Sequence, residues 1–433
     1  MLAQLGRATD SIVRFWGCDN TNTGGVLGVI VNGKTYTGAN LTAATDYTGT
    51  IDVAVSGDFT WQLTLDGVAV TPLRTAKGQP SSGQGFRTVI WGDSNNEYIN
   101  GWQVMVDEAA DYGVCIGDWD YTDTETGFVR DANLSSYRPR HRAKLGGLTG
   151  WTPQQEFLCN QLNIAMHDSH EGIRGDIFAE GTPEYNAAYQ AIREYITGIN
   201  PANTDTGVHA SPAVTPYFRH KIGDVEFIML EQATWLTGAS ESLGQSIDAT
   251  QLAWFQSAIA NSTASVIVVC APKQPRYVAG VNTVWPDVFR AIDAVDKTVV
   301  VFSADSHGAV ATWRAKGTTM AGGTITDAFA NRGLLEVQGT PISHPTMTAG
   351  DGITSGQATQ YFFDNSNDTG FRGSNFNYVM FEYVPQGGGI ESAPHIRIDI
   401  KSCWTGRSRW TCTIPIGSRV PTVYEGRARA PVI

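Results

Sequence analysis

At 433 residues, with 42% hydrophobic and 17% charged side chains, the chain has a globular composition and room for one large and one smaller domain. A formal net charge of −12 argues against binding nucleic acid or an anionic membrane through a basic face. No apolar run reaches the about 18 residues that a spanning helix needs.

The N-terminus, Met1-Leu-Ala-Gln-Leu-Gly, has neither the basic nor the apolar region of a signal peptide. Two settings follow: an intracellular or virion-borne chain, or one that begins after signal removal. Residues 1–86 read as all-β. Val26-Leu-Gly-Val-Ile-Val, Ile51-Asp-Val-Ala-Val, and Trp61-Gln-Leu-Thr-Leu before Val68-Ala-Val are short and strand-like. Asp66-Gly67 predicts a type I′ hairpin turn, and the whole suggests a small sandwich of the immunoglobulin or fibronectin kind. Gly78-Gln-Pro-Ser-Ser-Gly-Gln-Gly85 has the composition of a linker.

Beyond Phe86 strands alternate with helices, which predicts an α/β layered domain over 87–400. Strands are expected at Thr88–Trp91, Tyr112–Ile116, Val225–Leu230, Ser265–Ala271 and Thr298–Ser303. Helices are expected at Trp102–Ala110, Pro153–Ile164, Pro183–Ile196, Ala249–Ala260 and Asp287–Ala294. Residues 401–433 read as a C-terminal hairpin and tail. There, Cys403 and Cys412 flank a turn-like segment that would allow a local disulfide, whereas Cys115 and Cys270 sit in apolar runs as core residues.

Polar clusters follow these elements: Gly92-Asp-Ser-Asn-Asn-Glu97, Gly117-Asp-Trp-Asp-Tyr121, His167-Asp-Ser-His-Glu171 and Ala304-Asp-Ser-His307. Alpha/beta folds gather ligands at strand ends, and oxygen and imidazole donors in this mixture suit a two-metal site. Each cluster alone could be a turn or a helix start. The four in this order are more specific.

The order Asp-x-Asn, Gly-Asp-x-x-Tyr, Asp-x-His-Glu, Asp-x-His resembles the calcineurin-like metallophosphoesterases, and within them the PhoD-type alkaline phosphatases and phosphodiesterases. Gly117, Asp118 and Tyr121 match the family's hallmark. Tyr137-Arg-Pro-Arg-His-Arg, Ala187-Ala-Tyr-Gln-Ala, Gln251-Leu-Ala-Trp-Phe and Glu336-Val-Gln-Gly-Thr-Pro-Ile-Ser are similar to further stretches of it.

The resemblance implies a metallophosphoesterase sandwich, two sheets flanked by helices, behind the small β-domain. It also implies an extracellular or periplasmic setting. Asp93 and Asn95 would bind the two metals, Asp118 would bridge them, Tyr121 would be a phenolate ligand, and Asp305 and His307 would complete the shell. Asp168 or Ser169 would take a further ligand position, and His170 would stabilise or protonate the leaving oxygen. A tyrosine ligand favours Fe3+ in one position, with Ca2+, or Zn2+ or Mn2+, in the other. Substrates would be phosphomonoesters or phosphodiesters, attacked by activated water; a homo-oligomer is compatible with the sequence.

Three departures from the family stand out. Asp93 replaces the prototype's cysteine, His167-Asp-Ser-His-Glu replaces Trp-Asp-Asp-His-Glu with Asp176 nearby as a substitute ligand, and Leu230-Glu-Gln-Ala lacks the usual arginine. They motivate an alternative: a catalytically weakened chain with a structural, virion or surface-assembly role.

Overall fold

The structure, a computed structural model, describes residues 1–9, 11–94, 99–119, 131–146, 152–171, 182–200, 217–232, 247–273, 284–304, 309–318, 326–338, 358–364, 377–385 and 393–424. Its first elements are β1 (Leu2–Thr9), β2 (Ile12–Cys18), β3 (Gly25–Val31), β4 (Lys34–Leu41), β5 (Thr48–Ala54), β6 (Phe59–Leu65), β7 (Val68–Ala69) and β8 (Arg74–Ala76). Next come β9 (Phe86–Trp91), α1 (Ile99–Asp107), β10 (Tyr112–Ile116), α2 (Leu134–Lys144), α3 (Pro153–Asn160), β11 (Leu162–Met166) and α4 (Pro183–Tyr195). The middle is β12 (Phe218–Ile222), β13 (Val225–Met229), α5 (Ala249–Asn261), β14 (Val266–Ala271), α6 (Trp285–Ala294) and β15 (Thr298–Ser303). The rest is β16 (Ala309–Arg314), β17 (Leu334–Gln338), β18 (Ala358–Asp364), β19 (Asn377–Val384), β20 (His395–Ser402), β21 (Ser408–Pro415) and β22 (Thr422–Tyr424).

Among the described residues these strands form three sheets. The first runs β22-β21-β20-β19-β9-β10-β11-β1-β2-β5, with a parallel centre at β9, β10, β11 and β1. The second runs β12-β13-β14-β15-β17-β16-β18, parallel from β13 to β17. The third, β4-β3-β6-β7 with β8 on β6, is small.

Strand alternation sorts the apolar side chains into layers. Val114 and Ile116 of β10 join Phe227, Val268 and Phe302 of the second sheet in one buried cluster between the sheets. Cys115, between them in sequence, turns the other way and packs with Trp102 of α1, Phe157 of α3 and Ile192 of α4. On the far side, Val269 and Val301 pack with Phe255 of α5 and Phe289 of α6. Helices therefore cover the outer faces of a two-sheet core, a mixed α/β fold. With each fully buried large aliphatic or aromatic side chain contributing about 1.5–3 kcal/mol, this interior dominates stability.

The sheet does not break at residue 86. β1 lies parallel to β11, with Gly6 opposite Asn163, so β1, β2 and β5 extend the first sheet. The third sheet covers that extension, with Phe15 of β2 against Phe59 and Trp61 of β6. The hairpin turn at Asp66-Gly67 forms as expected, both residues having positive φ (50° and 80°) between paired Leu65 and Val68. The linker-like stretch is not free of the fold: Gly83 N donates to Asp224 Oδ2 (2.6 Å) and Gln79 Nε2 to the Lys221 carbonyl (3.0 Å).

Two sequence expectations are corrected. The helix over Pro153–Ile164 stops at Asn160; Gln161 is extended (φ −139°, ψ 163°), and Leu162–Met166 is a fully buried parallel strand. Cys403 and Cys412 are not bridged. Cys412 lies opposite Ile398 and packs between the sheets, while Cys403 packs with the helices on the other face. Five residues of strand separate Ile398 from Cys403, about 17 Å, well beyond the about 7 Å that a disulfide tolerates.

Candidate active site

The parallel registers bring the polar clusters to one level. Cys115 pairs with Trp91 and Ile116 with Met166, so Asp93, Asp118 and Asp168 follow three adjacent strands at the same edge. In the second sheet Met229 pairs with Cys270 and Ala271 with Ser303, so Glu231, Gln232 and Lys273 also leave their strands side by side. The two groups meet at Gly117 (φ 115°): a Cβ there would stand 2.8 Å from Asp168 Cβ and 3.1 Å from Pro272 Cβ. Only glycine allows that approach.

Asp93 and Asp118 are both buried and both left-handed, with φ of 49° and 48°. Aspartate tolerates this region better than most residues, but two neighbouring instances at strand ends hold backbone strain typical of functional sites. Crossing hydrogen bonds fix them: Asp93 N donates to the Gly117 carbonyl (3.3 Å) and Ser94 N to the Asp118 carbonyl (2.8 Å). Asp118 Oδ1 accepts from His170 N at 3.2 Å. No donor among the described residues reaches its buried Oδ2. An unanswered carboxylate oxygen is costly in a protein interior, and a cation would answer it.

Glu171 ties the loops together. Its Oε1 accepts from Trp119 N and its Oε2 from Asp168 N (2.8 Å). The Asp168 side chain is wholly buried, with its Oδ2 3.3 Å from Nζ of Lys273, itself almost wholly buried. Gln232 Oε1 accepts from Lys273 N (2.8 Å). Beside them Nε2 of His167 lies 3.5 Å from Glu231 Oε1. Burial pushes the His167 imidazole down to about 4, so it is neutral near pH 7. The Gln251 amide brackets the Glu231 backbone, donating to its carbonyl and accepting from its N–H, each at 2.8 Å. The glutamine of the Gln-x-x-Trp helix thus holds a strand end at the site.

Of the expected site residues, Asp93, Asp118, Asp168 and His170 come together here; Asn95, Tyr121, Asp305 and His307 lie outside the described residues, as does Asp176. Among the described residues no group of three or more His, Cys, Asp or Glu side chains could hold a metal ion. The donors present fit a cation on the Asp93–Asp118 side, where Oδ2 is unanswered. They do not fit one on the Asp168 side, where an ammonium already stands. Glu171, His167, Glu231 and Lys273 entered no sequence-based ligand set; the one available signal for Lys273 was a charged residue two places after an apolar strand.

The layers define a mixed α/β fold that gathers buried carboxylates at its strand ends. A solved structure of PhoD matches with a TM-score of 0.73 over 99% of this chain and 92% of its own, at 14% sequence identity. At that identity the likeness is one of fold. A second solved structure, GAP50, the anchor in the inner membrane complex of Plasmodium, matches with a TM-score of 0.39 over 77% of this chain and 90% of its own, at 12% identity. No family model matches the sequence, and no curated protein does. Among the described residues no helix is long and apolar enough to cross a membrane.

Proposed function

We propose that the protein is a metal-dependent phosphoesterase acting on phosphomonoesters or phosphodiesters. The observation that carries this reading is the buried Asp118 carboxylate, held at one oxygen and unanswered at the other, beside a second buried carboxylate at the next strand end. The PhoD-like fold supports it. Asp93 and Asp118 would hold the cation, with Asn95, Tyr121, Asp305 and His307 as further ligands and a phenolate from Tyr121 selecting Fe3+. When bound, such a cation supplies positive charge to phosphoryl oxygens and makes water more acidic.

The chain's own residues supply the rest. The His170 N–H and the left-handed backbone fix the Asp118 carboxylate before substrate arrives, so little reorganisation is needed. Glu171 keeps the segments after β10 and β11 in register. The His170 imidazole, partly exposed, would give a proton to the leaving oxygen.

The test is metal analysis of the purified protein with hydrolysis of p-nitrophenyl phosphate and bis-p-nitrophenyl phosphate, for wild type and Asp118→Asn. Metal-dependent turnover that disappears with the metal in Asp118→Asn is expected. A metal-free wild type, or equal turnover in the variant, overturns the reading. Tyr121→Phe adds a check on the metal: loss of visible phenolate-to-iron absorption is expected.

A further inference from the structure

We propose that Lys273 is a built-in counter-ion that takes the place of a second metal, so that the centre holds one exchangeable cation, on the Asp93–Asp118 side. This rests on the phosphoesterase reading and narrows it.

Asp168 is wholly buried and must be compensated, because an isolated carboxylate in a protein interior is strongly disfavoured. In a two-metal centre a cation would do this. Here the ammonium of Lys273 stands 3.3 Å from Asp168 Oδ2, and its side chain is almost wholly buried. A divalent ion on the same carboxylate would sit against that ammonium, and like charges repel strongly where water does not screen them.

The lysine is not placed by accident of a long side chain. Its N–H is held by Gln232 Oε1 (2.8 Å), and Ala304 N donates to the carbonyl of Pro272 (3.1 Å). Pro272 itself abuts the glycine that precedes Asp118. Strand ends from both sheets therefore lock the backbone that carries the ammonium. Asp118 contrasts with Asp168 in charge: its buried Oδ2 meets no donor, and no ammonium or guanidinium pairs with it among the described residues, whereas the Lys273 ammonium stands 3.3 Å from Asp168 Oδ2. The two carboxylates thus differ in what they can accept, one a metal and the other an ammonium already present.

The experiment is a Mn2+ titration of the full chain after metal removal, read by elemental analysis and by electron paramagnetic resonance. Wild type should bind one equivalent and show the six-line spectrum of isolated Mn2+. Lys273→Met keeps the length of the side chain but removes the charge, and should gain a second equivalent with a spin-coupled signal. Lys273→Met/Asp168→Asn removes both charges, avoids an uncompensated buried carboxylate if the single variant misfolds, and should return to one equivalent. Two equivalents in wild type, or one in folded Lys273→Met, overturns the proposal and leaves the phosphoesterase reading standing. Wild type that binds neither Mn2+ nor Fe3+ overturns both.

Discussion

The backbone N–H of His170 donates to Oδ1 of Asp118 at 3.2 Å, across the gap between two neighbouring strand ends. The residue therefore contributes to the site twice, through its main chain and through its imidazole. Substitution can separate the two. His170→Ala keeps the N–H, so metal content should stay at the wild-type level while turnover falls by roughly 10²–10⁴-fold. The fall should be steeper for alkyl phosphates than for p-nitrophenyl esters, whose leaving group needs no proton. Parallel metal analysis and rates on both substrate types provide the check; equal losses would assign the imidazole to something other than proton donation.

Asp118→Asn should act on stability in the direction opposite to its effect on activity. The carboxylate holds a buried oxygen with no donor, a cost of about 1–3 kcal/mol without metal. In EDTA the variant should melt at or above the wild-type temperature; with metal added, only wild type should rise. Calorimetry under both conditions tests this.

Gly117→Ala should cost at least about 2 kcal/mol, from the positive φ and from the Cβ meeting Asp168 and Pro272. Urea unfolding of Gly117→Ala against Gly317→Ala, a positive-φ glycine (φ 83°) whose added Cβ would meet nothing within 4 Å, separates packing from strain.

Asp19 gives a pH dependence that does not involve the site. Burial disfavours its charge, but hydrogen bonds from Thr21, Gly24 and Thr23 outweigh that and hold its carboxyl down to about 2, against an ordinary value of 3.8. A depressed folded-state value means the unfolded chain binds the proton more readily. The stabilisation is thus complete above about pH 4 and is lost as pH falls toward 2. Asp19→Asn should lose about 1 kcal/mol at neutral pH. The gap from wild type should close in denaturant melts run between pH 4 and 2.

All six cysteines are reduced and buried, and burial pushes the thiols of Cys403 and Cys412 well up. Iodoacetamide should label neither in the native protein, and all six after denaturation without reductant. Mass spectrometry of the denatured sample decides it; a protected Cys403–Cys412 pair would restore the hairpin bridge.

The strand-end clusters were legible because glycine-aspartate after an apolar run is a local pattern, and Asp93, Asp118 and Asp168 do emerge side by side. β11 was not, since five consecutive buried residues after a helix carry neither a two-residue nor a helical period. Lys273 was invisible for a different reason. A lysine following a strand is ordinarily solvated, and only the closure of the second sheet over Asp168 buries it. The separateness of residues 1–86 misled because composition is blind to pairing between segments far apart: β1 meets β11 through a register set by the whole sheet.

That pairing has a consequence for synthesis on the ribosome. Gly6 and Asn163 are 157 residues apart, so at about 5–20 residues per second β1 emerges roughly 8–30 s before its parallel partner. The β1–β2–β5 meander can zip up locally in that interval and the third sheet can cover Ala3 and Leu5, yet one margin of β1 must stay unpaired until β11 arrives, and Leu2, on the helix side, waits for α1 and α3. An open apolar strand margin is a template for pairing with another nascent chain. The molecule is thus most vulnerable to intermolecular association when about a third of it has been made, and slowing elongation between codons 20 and 160 should lower the soluble yield more than the same delay placed later.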